Sequence, residues 1–93
     1  MHSGKRILLI VEDNRDICDY IVESFSDDFE VRTAANGELG LEHALGCNPD
    51  SIVCDNMMPV MNGIVMCRKL KEDLRTSHIP IILLTAKDSL LDK

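Results

Sequence analysis

Short apolar runs alternate along this chain with stretches of helical period. Residues 7–11, Ile7-Leu8-Leu9-Ile10-Val11, are five consecutive apolar positions rich in β-branching. That is how a strand covered on both faces reads. Asp13 or Asn14 can cap a following helix, whose apolar stripe falls at Ile17, Ile21, Val22 and Phe25. Residues 29–34 alternate as a half-exposed strand, and Asn36-Gly37 then marks a turn. A shorter helix presents Leu41, Ala44 and Leu45, with Gly46 at its expected stop. Residues 51–54 form a third strand, and 55–63 a loop. A helix over about 64–74 turns Ile64, Cys67, Leu70 and Leu74 inward. Pro80 opens a fourth apolar strand at 81–84, a position where proline is tolerated. Residues 89–93 read as the first turn of another helix.

The order is β-α-β-α-β-α-β-(α), which implies an α/β fold with a doubly wound parallel sheet. The apolar runs are too short and too β-branched for a helical bundle. The connectors are too helical for an antiparallel sandwich.

In such sheets the chemistry gathers beyond the carboxyl ends of the strands, where strand order reverses. Glu12-Asp13-Asn14 follow strand one, Asp55-Asn56-Met57-Met58-Pro59 follow strand three, and Thr85-Ala86-Lys87 follow strand four. In the flavodoxin-like order 2-1-3-4, strands one and three are neighbours, so Glu12, Asp13 and Asp55 converge with Thr85 alongside. Three carboxylates in one crevice repel unless protonated or bridged by a cation. An all-oxygen donor set with room for water suits Mg²⁺ better than zinc or calcium. A carboxylate beside such an ion can take a phosphoryl group, and a hydroxyl such as that of Thr85 can bond one of its oxygens. Each residue also has a plainer role: Asp13 as a helix cap, Asp55 in an Asx-turn, Glu12 as a solvated charge, Thr85 as a strand-end hydroxyl. It is their joint placement on the switch-point strands that favours chemistry. His43 and His78 have no His or Cys at ligand spacing.

Composition narrows the classes. The 93 residues are 45% apolar and 28% charged, one small globular domain rather than a disordered tail. Aromatics are 3%, which argues against base-stacking or sugar-binding surfaces. A net charge of −6 opposes direct nucleic-acid binding. No apolar run reaches a membrane span, so a cytoplasmic setting is expected. Cys18, Cys47, Cys54 and Cys67 form no C-x-x-C pair and read as buried reduced thiols. Met57, Met58, Met61 and Met66 read as core filler. Residues 1–4 read as a tag remnant or disordered terminus.

The segments 7–14, 55–63 (with its D-x-M-M-P-x-M-x-G pattern) and 81–87 together resemble a response-regulator receiver domain of two-component signalling. The wording is also similar to receiver modules of hybrid sensor proteins. The resemblance implies that Asp55 accepts a phosphoryl group from a phosphohistidine on a histidine kinase or phosphotransfer partner. It implies that Asp13, Asp55 and the main-chain carbonyl of Met57 bind Mg²⁺, with Glu12 acting through water. Thr85 would bond the phosphoryl group as a switch, with Ala86 leaving it room. The family also has a fifth strand, a fifth helix, a phosphate-pairing Lys and an aromatic switch residue beyond the last residue here, so 5–93 reads as an incomplete receiver. Lys87 stands too close to Thr85 to take the Lys role, and Asn56 and Asn62 are milder departures. Such a piece is expected to be a signalling module, not a free-standing enzyme, and to self-associate through the strand-four edge. The alternative is a non-phosphorylatable structural module. A nucleotide or flavin binder lacks its Gly-rich turn, and an aspartyl phosphatase would want a second acid where Met57 stands.

Overall fold

The computed structural model describes residues 4–55 and 61–84. The element order is β1 (Arg6–Val11), α1 (Arg15–Phe25), β2 (Phe29–Ala34), α2 (Gly37–Cys47), β3 (Ser51–Asp55), α3 (Gly63–Glu72) and β4 (Ile81–Leu84). The strands form one sheet in the order β2-β1-β3-β4, all parallel. This is the flavodoxin-like order, with β1 and β3 side by side at the reversal. Leu8 pairs with Val31 on one side and Ser51 on the other.

Strand alternation divides the core between two faces. Leu9 and Val11 of β1 join Ile52 and Cys54 of β3, Ala44 of α2, and Met66 and Leu70 of α3. Leu8, Ile10 and Val53 face the other way, against Ile21 of α1. Helix α1 therefore covers one face, and α2 and α3 cover the other.

Each described helix starts the same way. Asn14, Asn36 and Asn62 are the N-caps, and their Oδ1 atoms accept the backbone N–H of Ile17, Leu39 and Val65 at 3.0, 2.9 and 2.9 Å. An asparagine cap satisfies an orphan donor and contributes about 1 kcal/mol. Of the two cap residues the sequence offers for α1, Asn14 is the cap and Asp13 is not. One expectation is corrected. Asn36-Gly37 is no free turn, because Asn36 caps α2 and Gly37 is its first residue.

The end of α2 also differs from expectation. The helix runs through Gly46 to Cys47 and stops at Asn48, which takes the left-handed conformation at φ 49°. Asparagine tolerates that region, so it replaces glycine as the stop. Gly46 is thus helix interior, and a β-carbon there would meet nothing within 4 Å. Gly46→Ala is expected to stabilise the fold by about 0.5–1 kcal/mol by restricting the unfolded chain. A urea midpoint at or below that of the parent would refute this.

Helix α3 departs in part from its expected setting, for Leu70 and the core-filler reading of Met66 hold while Ile64 and Leu74 do not face the core. Met66 and Leu70 are fully buried, whereas Ile64 and Leu74 are 48% and 92% exposed. Leu74 lies beyond the helix, which closes at Asp73. The connection to β4 is pinned by polar contacts. The buried Thr76 hydroxyl donates to Leu70 O at 2.7 Å, and the Lys71 ammonium donates to Ser77 O and Ile79 O at 3.1 and 2.8 Å. Ile79 is fully buried behind them. On β4, Ile81 packs on one core face and Leu84 on the other, while Ile82 and Leu83 are exposed. The expected turn of helix over 89–93 lies outside the described residues.

Candidate functional site

The acids converge as their strand positions require. Glu12 prolongs β1 by one residue, its N–H donating to Ala34 O of β2 at 3.0 Å. Asp55 is the last residue of β3 rather than the first of the loop. Since Ile52 and Cys54 face α2 and α3, Asp55 alternates with Val53 toward the α1 side. Asp13 lies in the short turn between β1 and the Asn14 cap. One carboxylate oxygen from each of Glu12, Asp13 and Asp55 falls within a set whose members all lie within 4.8 Å of one another. Glu12 and Asp55 are buried at 4% and 2% exposure, and Asp13 is exposed.

Local bonding sets the Glu12 side chain. Its Oε2 accepts the Asn14 N–H at 3.0 Å. Asn14 therefore serves twice, its side chain capping α1 and its backbone steadying Glu12. The capping half was legible in the sequence as a capping residue before an apolar stripe; the bond to Glu12 was not.

This cluster fits a hard divalent cation. Its donors are three carboxylates, which as anions repel at this spacing and attract a cation. The adjacent Cys54 offers no competing soft ligand. Burial pushes its thiol up to about 12, with the neighbouring Asp55 charge adding to the effect. Strand alternation turns its side chain toward α2 and α3, away from the three carboxylates. Cys54 Sγ instead donates to Asp55 O at 3.4 Å. Beside the acids a cleft of about 330 Å³ opens, lined by Glu12, Asp13, Arg15, Cys18, Asp19 and Thr33 among others. The sequence reads all four cysteines as buried reduced thiols; all are free thiols, but only Cys54 is buried, and Cys18, Cys47 and Cys67 are half-buried.

Of the residues singled out in sequence, Glu12, Asp13 and Asp55 are brought together. Met57, Thr85, Ala86 and Lys87 lie outside the described residues. No described helix is long and apolar enough to cross a membrane.

The fold and this acidic pocket define a two-component signalling module. Residues 8–93 match the family model for the response regulator receiver domain, and the chain belongs to that family. It is 40% identical over 89 residues to histidine kinase P4 of Formosa agariphila, covering 96% of this chain and 6% of that protein. It is 45% identical over 84 residues to hybrid signal transduction histidine kinase D of Dictyostelium discoideum, covering 90% of this chain and 5% of that one. Among solved structures, it resembles the N-terminal domain of a response regulator receiver protein from Methanoculleus marisnigri with a TM-score of 0.83 and 33% identity, covering 87% of this chain and 67% of that one. The chain thus spans only a small part of the two kinases it matches.

Proposed function

We propose that this receiver domain accepts a phosphoryl group on Asp55 from a phosphohistidine of a histidine kinase or phosphotransfer partner, in a cytoplasmic setting, and relays it as a signal. The observation that carries the reading is the convergence of Glu12, Asp13 and Asp55 beyond adjacent strands in a chain of this family. Asp13 and Asp55 would hold Mg²⁺ with the main-chain carbonyl of Met57, and Glu12 would act through water. When bound, the ion neutralises charge on the transferring group. The residues supply the rest. An Asp55 carboxylate oxygen attacks phosphorus, the P–N bond of the donor breaks, and the released electron pair stays on the imidazole nitrogen, which takes up a proton. Asp55 is held at the end of β3, paired with Leu84. Glu12 is held by the Asn14 N–H. The Thr85 hydroxyl would donate to a phosphoryl oxygen after transfer.

The test uses a small phosphodonor, with and without Mg²⁺, read by intact mass. The reading expects one base-labile phosphoryl adduct that requires Mg²⁺ and is lost in Asp55→Asn. A non-phosphorylatable interaction module would give none, and multiple turnover of the donor would indicate an enzyme.

The same proposal includes self-association of the 93-residue chain. Among the described residues β4 has a neighbour on one side only, and Ile82 and Leu83 are 57% and 38% exposed. Open strand groups beside apolar side chains recruit a second copy. Light scattering is expected to show a mass that rises with concentration; a monomer throughout would count against it.

A further inference from the structure

We propose that Arg15 is a specificity-determining residue for phosphotransfer, admitting an anionic donor to the acidic site at some cost in Mg²⁺ affinity. This rests on reading Asp55 as the phosphoacceptor and Glu12, Asp13 and Asp55 as the cation site. Arg15 stands where its own helix gains nothing from it. It is the first residue of α1. The start of a helix carries partial positive charge, so a cation there is disfavoured and an anion such as the neighbouring Asp16 is favoured. Asp19 lies one turn along, yet Arg15 makes no ion pair among the described residues. A residue that breaks a local rule with no local compensation points to function.

Arg15 lines the cleft of about 330 Å³ together with Glu12 and Asp13. Those two carboxylates also belong, with Asp55, to the set within 4.8 Å. They are thus the common wall between Arg15 and the phosphoacceptor. Among the described residues lining the cleft, Arg15 is the one Lys or Arg. Its charge is felt there: burial, then Asp19 and Glu12, push the Cys18 thiol up, and Arg15 pulls against them. Three carboxylates attract Mg²⁺ but repel a phosphodonor, which is itself an anion. A cation on their flank offsets part of that repulsion and opposes Mg²⁺ in the same field. One charge therefore acts with opposite sign on the two ligands. Because Arg15 is exposed, salt screens the effect.

The experiment compares Arg15→Gln, Arg15→Lys and Arg32→Gln with the parent. Arg32→Gln removes the same charge from β2, where Arg32 pairs with Glu30 at 2.6 Å. Mg²⁺ affinity is measured by isothermal titration without donor. The rate of Asp55 adduct formation from acetyl phosphate is measured by intact mass at saturating Mg²⁺. At low ionic strength Arg15→Gln is expected to bind Mg²⁺ about three- to fivefold more tightly and to form the adduct about three- to fivefold more slowly. Arg15→Lys and Arg32→Gln are expected to stay within about twofold of the parent in both. In about 1 M salt, where the Debye length is about 3 Å, the Arg15→Gln differences are expected to vanish. A structural defect would weaken both quantities together. Any other pairing of the two signs overturns the proposal, as do equal effects in Arg32→Gln, failure of Arg15→Lys to retain the parent's values, or differences that persist in salt. A parent that forms no adduct fails the phosphoacceptor reading, and the role of Arg15 falls with it; a parent that forms one beside an unaffected Arg15→Gln fails this proposal alone.

Discussion

Asp55→Asn is expected to abolish the phosphoryl adduct and, in EDTA, to raise the thermal midpoint. The two effects have one origin. The wild-type pocket holds three carboxylates whose nearest oxygens lie within 4.8 Å, two of them buried. Unit charges about 4 Å apart interact by about 4 kcal/mol at the effective dielectric of a protein surface. Relaxation and solvent reduce what removing one charge returns, so a gain on the order of 1–3 kcal/mol is expected. For a domain of this size each kcal/mol moves the midpoint by about 4–8 °C. Mg²⁺ is expected to reverse the ranking. It stabilises the wild type by mass action, about 2.7 kcal/mol at one hundred times its dissociation constant, and has little hold on the variant. Calorimetric scans in EDTA and in Mg²⁺ read both effects. A variant less stable than wild type in EDTA would show that charge repulsion is not what the pocket stores.

Leu9→Ala is expected to cost about 2–5 kcal/mol, the range for emptying a leucine site that cannot collapse. Leu9 is fully buried in the middle of β1, which is paired on both sides, to Arg32 of β2 and Ile52 of β3. Its surroundings include Ala44, Met66 and Leu70, residues of two different helices. A shift that filled the gap would have to move α2 and α3 together. Domains have only about 0.05–0.15 kcal/mol of stability per residue, so this one change removes a large share of the total. Urea denaturation monitored by circular dichroism reads it. A loss under about 1 kcal/mol would mean that the helices close over the cavity and the packing is looser than described.

Much of the fold was legible because its strands are short and emphatic. The β-branched run 7–11 reads as a covered strand, and it is β1 to within a residue. The acids could be placed together from the sequence because parallel α/β topology fixes which strand ends are neighbours. The errors lie where a tertiary contact decides between two equally helical choices. On α3, the stripe Ile64, Cys67, Leu70 and the stripe Gly63, Met66, Leu70 both fit a period near 3.6. The structure takes the second because Gly40 of α2 leaves space that the Met66 sulfur fills; an added β-carbon there would sit 2.9 Å from it. No local pattern in α3 reports a glycine on another helix. The same holds for Asn14. Its capping role is local, but its N–H reaching Glu12 depends on how the turn folds back. Asn48 as a left-handed stop in place of Gly46 was also decided beyond the residue pattern of α2.

The central claim is that Asp55 is the phosphoacceptor, and locating the acyl phosphate by residue tests it most directly. Borohydride reduces an aspartyl phosphate to homoserine, which peptide mass spectrometry assigns to a position. After incubation with a small phosphodonor and Mg²⁺, the account predicts homoserine at position 55 and unmodified Glu12 and Asp13. Reduction product at Asp13, or none at position 55 in protein shown to bind Mg²⁺, would contradict it.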